Sequence, residues 1–378
     1  MHSHRFLSAA LCAALGASTA SAQFHLSEIL VDLPGTDNGQ EAIELRGAPN
    51  ASLAGWGILM LDGDTTASGT VDQALDLGAF STGANGLFLW RDAATVLLPA
   101  PDAATTLNIA DFSPDIENGT ITFLLGFGTL PAVNTDFDAG NDGTLDGPIP
   151  GFTVVDAVST TDGGTSDSVY ADEFPGGFVF PRSNFTPDTI FRCEDELGQP
   201  LCWGAADVLG TTPGPYAFDF ALGEVYGGTS LGFGPQDASP GNANARISLC
   251  SDSQGFMLVL GGTQNLLLDA GAARAGQTYF VLGSVSGTTP GLPFGAFTLP
   301  LNFDPYFEFT LIVPNAPTLF PSLGTLDGNG RANVAFSVPP GAVFLPATIV
   351  AHHAFLVLDF STGSVTFAST PASVELRF

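Results

Sequence analysis

Short apolar stretches recur along the chain, and turn residues close nearly every one of them. "EAIELRG" (41–47), "GILMLDGD" (57–64), "GTITFLLGFG" (119–128), "FEFTLIV" (307–313), "HAFLVLDF" (353–360) and "SVELRF" (373–378) are representative. Several alternate with period two, as in Phe307-Phe309-Leu311 and Val374-Leu376-Phe378. Successive side chains of a strand point to opposite faces, so this alternation predicts strands with one buried face. Val, Ile, Phe and Thr fill the stretches, and Gly and Pro punctuate them. The pattern predicts an all-β protein made of two antiparallel β-sandwich domains.

One region breaks the pattern. "DFALGEVYGGTSLGFGPQDASPGNANA" (219–245) is rich in Gly, Pro, Ala and Asn and has no sustained apolar period, so it reads as a linker or long loop. It separates a first domain, 23–218, from a second, 246–378. Residues 1–22 read as a signal peptide: a polar start with Arg5, an apolar run too short to span a bilayer, and "ASA" before Gln23. Ala9, three residues before Cys12, stands where a lipoprotein signal wants Leu, so plain cleavage is expected. No later run is long and apolar enough to predict a transmembrane helix.

Export sharpens two further readings. The chain carries 38 Asp and Glu against nine basic residues, all Arg, for a formal net charge of −29. Such a field repels phosphate backbones and anionic membrane surfaces, so nucleic acid is excluded as a partner, whereas divalent cations are attracted. Three cysteines follow the signal. Cys193 and Cys202 flank the turn-like "EDELGQPL" and are expected to form a disulfide in an oxidising compartment. Cys250 is then left as a buried thiol.

Three stretches of the first domain carry a family resemblance. They are "HLSEILVDLPGTDNGQEAIEL" (25–45), "SLAGWGILMLDGD" (52–64), and "TPDTIFRC" (186–193) with "TTPGP" (211–215). In these the chain resembles the lamin tail domain of secreted bacterial proteins: an opening strand with an E-x-I-E-L strand, an L-x-G-W turn, and a closing T-P-G. "SPGNAN" (239–244) is an alternative for that closing motif. The resemblance implies an immunoglobulin-like sandwich used for interaction and no catalytic residues. By alternation, Ile43 and Leu45 are expected in the core with Glu44 in water, and Gly55 is expected to turn Trp56 inward. The second domain resembles C-terminal modules of exported proteins in planctomycete-like bacteria, through "YFVLGSVSGTTPG" (279–291), "LPLNFDPYF" (299–307), "GTLDGNGRANVAF" (324–336) and "AHHAF" (351–355). Those modules imply no activity.

The most chemical-looking stretch is "DFDAGNDGTLDG" (136–147). Calcium takes six to eight oxygens, and Asp138, Asn141, Asp142 and Asp146 offer them within one Gly-containing loop. An EF-hand is excluded, because Ile149 stands where the closing Glu belongs and Pro148 and Pro150 oppose a helix. A non-EF calcium loop and an ordinary acidic turn both stay open. "TDGGTSDS" (161–168) is expected to be a turn, since a Gly-Gly-x-Gly calcium repeat works in stacked copies. "GTSLG" (228–232) matches a nucleophile elbow without the strand and helix that the motif needs. His352 and His353 are adjacent on a strand, so they point to opposite faces.

The expectation is therefore an exported, non-catalytic interaction, adhesion or structural protein of the cell surface or envelope, supported by Ca²⁺ if by any cofactor. Its partners would be protein or polysaccharide. The alternatives are a secreted metal-dependent hydrolase and, from the apolar-alternating C-terminus, an outer-membrane-associated protein.

Overall fold

A computed structural model describes residues 24–33, 39–65, 67–95, 97–98, 100–180, 186–194, 200–206, 208–209, 216–218, 224–225, 229–230, 240–244, 248–251, 255–341, 349–360 and 363–377. The signal segment, "TTPGP" and Phe378 lie outside the described residues.

In the first half, six strands form one sheet in the order Pro200–Ala206, Thr189–Glu194, His25–Leu30, Ala42–Arg46, Leu87–Arg91, Thr106–Ile109. Five form the facing sheet in the order Phe178–Val179, Phe152–Thr160, Ile121–Gly128, Trp56–Asp62, Val71–Asp76. Leu26, Ile29, Ile43 and Leu45 of one sheet meet Ile58, Met60, Phe123 and Leu125 of the other in a single core. The second half repeats the scheme. Leu249–Ser251, Gly262–Asp269, Arg331–Val338 and Leu319–Phe320 form one sheet. Gly255–Met257, Ala372–Arg377, Ile349–Asp359, Thr278–Ser284 and Leu323–Thr325 form the other, with Ser364–Ala368 beside Ile349–Asp359. Leu266, Leu268, Val334 and Phe336 pack on Val281, Phe355, Val357 and Val374. The all-β class is the observed one, and the C-terminal alternating stretch is an ordinary strand of the second sandwich.

Several local readings change. The sheets are not wholly antiparallel: Thr106–Ile109, Phe178–Val179 and Gly255–Met257 each join an edge in parallel. Phe307-Phe309-Leu311, expected as a strand, lies in the helix Pro305–Ile312. Asp304 accepts the Phe307 N–H at 2.8 Å, and Pro305 at the first helical position has no N–H to leave unpaired. That start signal outweighs an alternation only three residues long. Phe307 and Thr310, three apart, turn inward, and Phe309 and Leu311 stay exposed.

Gly55 turns with φ 79° ahead of Trp56, which packs edge-on to Phe24 at 4.8 Å. Ile43 and Leu45 are core residues, but Glu44 does not face water; it is fully buried. The outer face of its strand is covered by chain from the expected linker. The Gly241 N–H donates to Glu44 Oε2 at 2.6 Å, and Asn244 Nδ2 donates to the backbone oxygens of Ser27 and Arg192 at 3.0 and 2.9 Å. Residues 240–244, within "SPGNAN", therefore pack on the first sandwich. Burial pushes the Glu44 carboxyl up to about 8.

The cysteine pairing also differs from expectation. Cys202 is bonded to Cys250, not to Cys193, with their Cα atoms 6.0 Å apart. Cys193 keeps its thiol and is buried. The strands Thr189–Glu194 and Pro200–Ala206 do set Cys193 opposite Cys202. The second half, however, lays the strand carrying Cys250 against the same edge, and Cys250 takes the bond. The disulfide thus joins the two halves, and Val350 of the second packs against the core of the first.

Candidate functional site

Register brings the acidic loops of the first half together at one end of its five-stranded sheet. Asp62 pairs with Ile121, and Ile121 pairs with Thr160. The end of one strand, the start of the next and the end of the third therefore lie side by side. The loops that follow carry Asp64, Asp162 and Asp167.

Backbone bonds fix these loops. Gly63 N–H donates to Thr120 O at 2.7 Å, and Ser168 N–H donates to Gly63 O at 2.8 Å. Gly63 is required there, because a Cβ would collide with the Ser168 carbonyl. Thr120 orients the carboxylates: its N–H reaches Asp64 Oδ1 at 3.3 Å, and its hydroxyl reaches Asp167 Oδ2 at 2.8 Å. Asp64, Asp162 and Asp167 each bring one oxygen within 4.8 Å of the others. Asp62, Asp72 and Glu117 form a second such triad at the same edge.

Desolvation raises all four of Asp62, Asp64, Asp72 and Glu117, Asp72 to about 6 and Glu117 to about 7. Neighbouring carboxylates add to the rise for Asp64, Asp72 and Glu117. Carboxylates crowded in this way share protons or take a hard, oxygen-loving divalent cation.

The sequence-chosen set is placed differently. Asp138 is fully buried. Its Oδ1 accepts the Asp142 N–H at 3.1 Å, and its Oδ2 accepts the Gly143 N–H and the Tyr170 hydroxyl, both at 2.9 Å. Asp142 Oδ1 accepts the Thr144 N–H, and Asp146 Oδ2 accepts the Ala139 N–H, each at 3.0 Å. Asn141 takes a left-handed φ of 46° at the bend. Each of these carboxylates is engaged by its own loop, and none belongs to the two carboxylate triads found among the described residues. Asn141 and Asp142 line an open groove of about 600 Å³ with Ser166, Asp167 and Glu173. The available signal for the triads was Asp62-x-Asp64 at a strand end together with "TDGGTSD". Only register reveals that the two stretches meet.

The remaining chemical candidates serve the interior. His353 is fully buried, contacts the Tyr306 hydroxyl through Nε2 at 2.9 Å, and is pushed down to about 3 by burial and then by His352. His352 Nδ1 meets Ser373 Oγ at 2.7 Å. Arg192 donates two bonds to Asp156, at 3.1 and 3.0 Å, and lies over the Trp203 ring. Beside them, between the halves, is a cleft of about 430 Å³ lined by Phe178, Cys202, Trp203, Cys250, Asn265 and Asn333.

No family model matches the chain. No curated protein matches it. Among solved structures it is similar to the crystal structure of the E. coli chaperone DraB, at 14% identity and TM-score 0.20, over 34% of this chain and 53% of that one. It is also similar to the native conformation of E. coli alpha-2-macroglobulin, at 10% identity and TM-score 0.19, over 93% of this chain and 20% of that one. The chain thus spans about half the length of the first and a fifth of the second. TM-scores this low carry no argument about fold or function.

Proposed function

We propose that the chain is an exported, non-catalytic interaction protein of the bacterial cell surface or envelope, with a lamin-tail-like, immunoglobulin-like first sandwich. The observation that carries this reading is the seam. A disulfide between Cys202 and Cys250 clamps two sandwiches into one platform around an open cleft. Disulfides of this kind persist in oxidising compartments, which fits export. The acidic edge formed by Asp62, Asp64, Asp72, Glu117, Asp162 and Asp167 adds a place for Ca²⁺ beside the presented loops. Partners are protein or polysaccharide, recognised by loops on a rigid scaffold.

The test uses labelled oxidised protein and isolated bacterial envelopes, alongside chromogenic ester, glycoside and phosphoester substrates with Ca²⁺, Mg²⁺ or Zn²⁺. Saturable retention without turnover is expected. Turnover that disappears in Asp162→Asn or Asp167→Asn would replace this reading by a metal-dependent hydrolase, the reading that the raised carboxylates of the same edge favour second.

A further inference from the structure

Three cysteines converge at the seam, and the bonded pair is not the only pairing that the fold prepares. Cys193 stands directly opposite Cys202 in the antiparallel register. Residues so placed project from the same face with Cα atoms about 4.5–5.5 Å apart. That lies within the roughly 4.4–6.8 Å that a disulfide spans. The neighbouring pair on that face, Phe191 and Gly204, is in close contact, since a Cβ on Gly204 would stand 2.7 Å from the Phe191 ring. Cys202 therefore has two qualified partners, one in each half of the molecule.

We infer that Cys193 is an internal acceptor for the Cys202–Cys250 disulfide, so that the clamp between the halves is released by exchange rather than by reduction. The Cys193 thiolate attacks Cys202 Sγ. The Cys193–Cys202 bond forms as the Cys202–Cys250 bond breaks. Cys250 leaves as a thiolate and takes up the proton that Cys193 gave up. One disulfide replaces another, and no oxidant or reductant is consumed.

The fold also explains why the clamp holds at rest. Cys193 is only 2% exposed. Burial, and then the charge of Glu194, push its thiol up to about 12, so the attacking thiolate is scarce. Exchange requires the strand Pro200–Ala206 to shift. That strand is the outermost of its sheet, with a single strand neighbour there. An edge strand opens at less cost than an interior one. After exchange the disulfide is local to one hairpin. The cleft between the halves then loses the covalent tie that runs from Cys202 to Cys250 along its wall.

The test uses the full oxidised protein with no added thiol, held anaerobically at pH 8.5 in urea below the unfolding midpoint. Acid quenching, N-ethylmaleimide labelling after denaturation, and peptide mapping without reduction then locate the bond. We expect the label to move from Cys193 to Cys250 as a Cys193–Cys202 peptide appears. In Cys193→Ser the Cys202–Cys250 peptide should persist throughout. A label that stays on Cys193 at every urea concentration up to unfolding overturns the inference. In Cys250→Ser, oxidised glutathione should yield the Cys193–Cys202 bond; two surviving thiols in a protein with native circular dichroism would also overturn it. Should that variant not fold, the wild-type label decides.

Discussion

The two sandwiches share an architecture but shift different ionisable groups most strongly. In the first these are acids: the buried Glu41 and Glu44 and the half-buried Asp72 and Glu117 are pushed up to about 9, 8, 6 and 7, in each case chiefly by desolvation. In the second they are histidines: the buried His353 is pushed down to about 3 and the half-buried His352 is lowered, again chiefly by desolvation. Desolvation favours the neutral form of all six, yet neutrality lies at opposite ends of the pH scale for acid and histidine; Asp304 of the second half is the exception, its carboxyl lowered against burial by hydrogen bonds from Phe307, Ser284 and Val285. The overall acidity of the chain conceals this. One half carries crowded carboxylates at a sheet end. The other uses neutral pairs such as Tyr306 with His353 and Gln264 with the Ser373 carbonyl. The acidic edge is thus a property of the first sandwich and not of the composition at large.

Ion pairs differ between the halves in the exposure of their arginines and give the largest expected effect. Arg192 and Asp156 are nearly buried in the first half, with side chains 10% and 6% exposed, and Asp156 also accepts the Leu26 N–H at 2.8 Å. Arg192→Ala strands that carboxylate and should cost about 3–5 kcal/mol, read as a lower urea midpoint. In the second half the Arg331 side chain is 33% exposed, while its partner Asp269 is 6% exposed and also accepts the Gly271 N–H at 2.8 Å. Water reaches the place that the half-exposed Arg331 side chain leaves, so Arg331→Ala should cost less, about 1–3 kcal/mol. Equal losses would remove the contrast.

The next effect separates the halves physically. Cys202→Ala removes both pairings open to that sulfur. The native bond joins residues 48 apart, and chain entropy assigns such a loop about 4 kcal/mol. The expected calorimetric result is a single transition for the oxidised wild type and two for the variant. One transition in both would mean that packing at the seam, including Val350 on the first core, couples the halves without the bond.

The strand pattern was legible wherever alternation persisted, as at Ile43 and Leu45 and along Val374 and Leu376. It misled at Phe307-Phe309-Leu311, where the Asp304-Pro305 start signal outweighed three alternating residues. It misled at Glu44 because alternation reports a face and not what later covers it, and Gly241 and Asn244 come from about 200 residues away. The acidic loop 136–147 stood out as a run, but its carboxylates close their own turn. Asp64, Asp162 and Asp167 are spread over about a hundred residues, and only the register of three strands assembles them. Disulfide connectivity was beyond reach for a similar reason: with three thiols, sequence does not say which strand edge meets which.

The two acidic candidates can be separated by cation binding. A site that binds only the folded state adds about 2.7 kcal/mol when the ion is at 100 times Kd. Millimolar Ca²⁺ after EDTA should therefore raise the first transition of the Cys202→Ala protein, with Mg²⁺ as control. Asp162→Asn with Asp167→Asn should abolish the rise, and Asp142→Asn with Asp146→Asn should keep it. The reverse pattern would return the site to loop 136–147. A rise in the second transition would break the assignment of the acidic edge to the first half.

The smallest effect tests the opening contrast itself. Asp72 and Glu117 have folded values raised above their ordinary 3.8 and 4.5. Their contribution is complete below those ordinary values and is lost as pH rises through about 6 and about 7. Over the same window His353, lowered from 6.5 to about 3, acts in the other direction. Unfolded chains bind its proton first, so its contribution is present above 6.5 and is lost as pH falls. For one fully buried group this is at most about 2 kcal/mol between pH 6.5 and 5. In the Cys202→Ala protein, acidification from pH 8 to 5 should raise the first transition and lower the second. Asp72→Asn with Glu117→Gln should reduce the first slope and leave the part that Glu41 and Glu44 supply, raised to about 9 and 8, and His353→Gln, which keeps an acceptor for Tyr306, should flatten the second. Parallel slopes would mean that relief of the common charge of −29, rather than these buried groups, governs the response to acid.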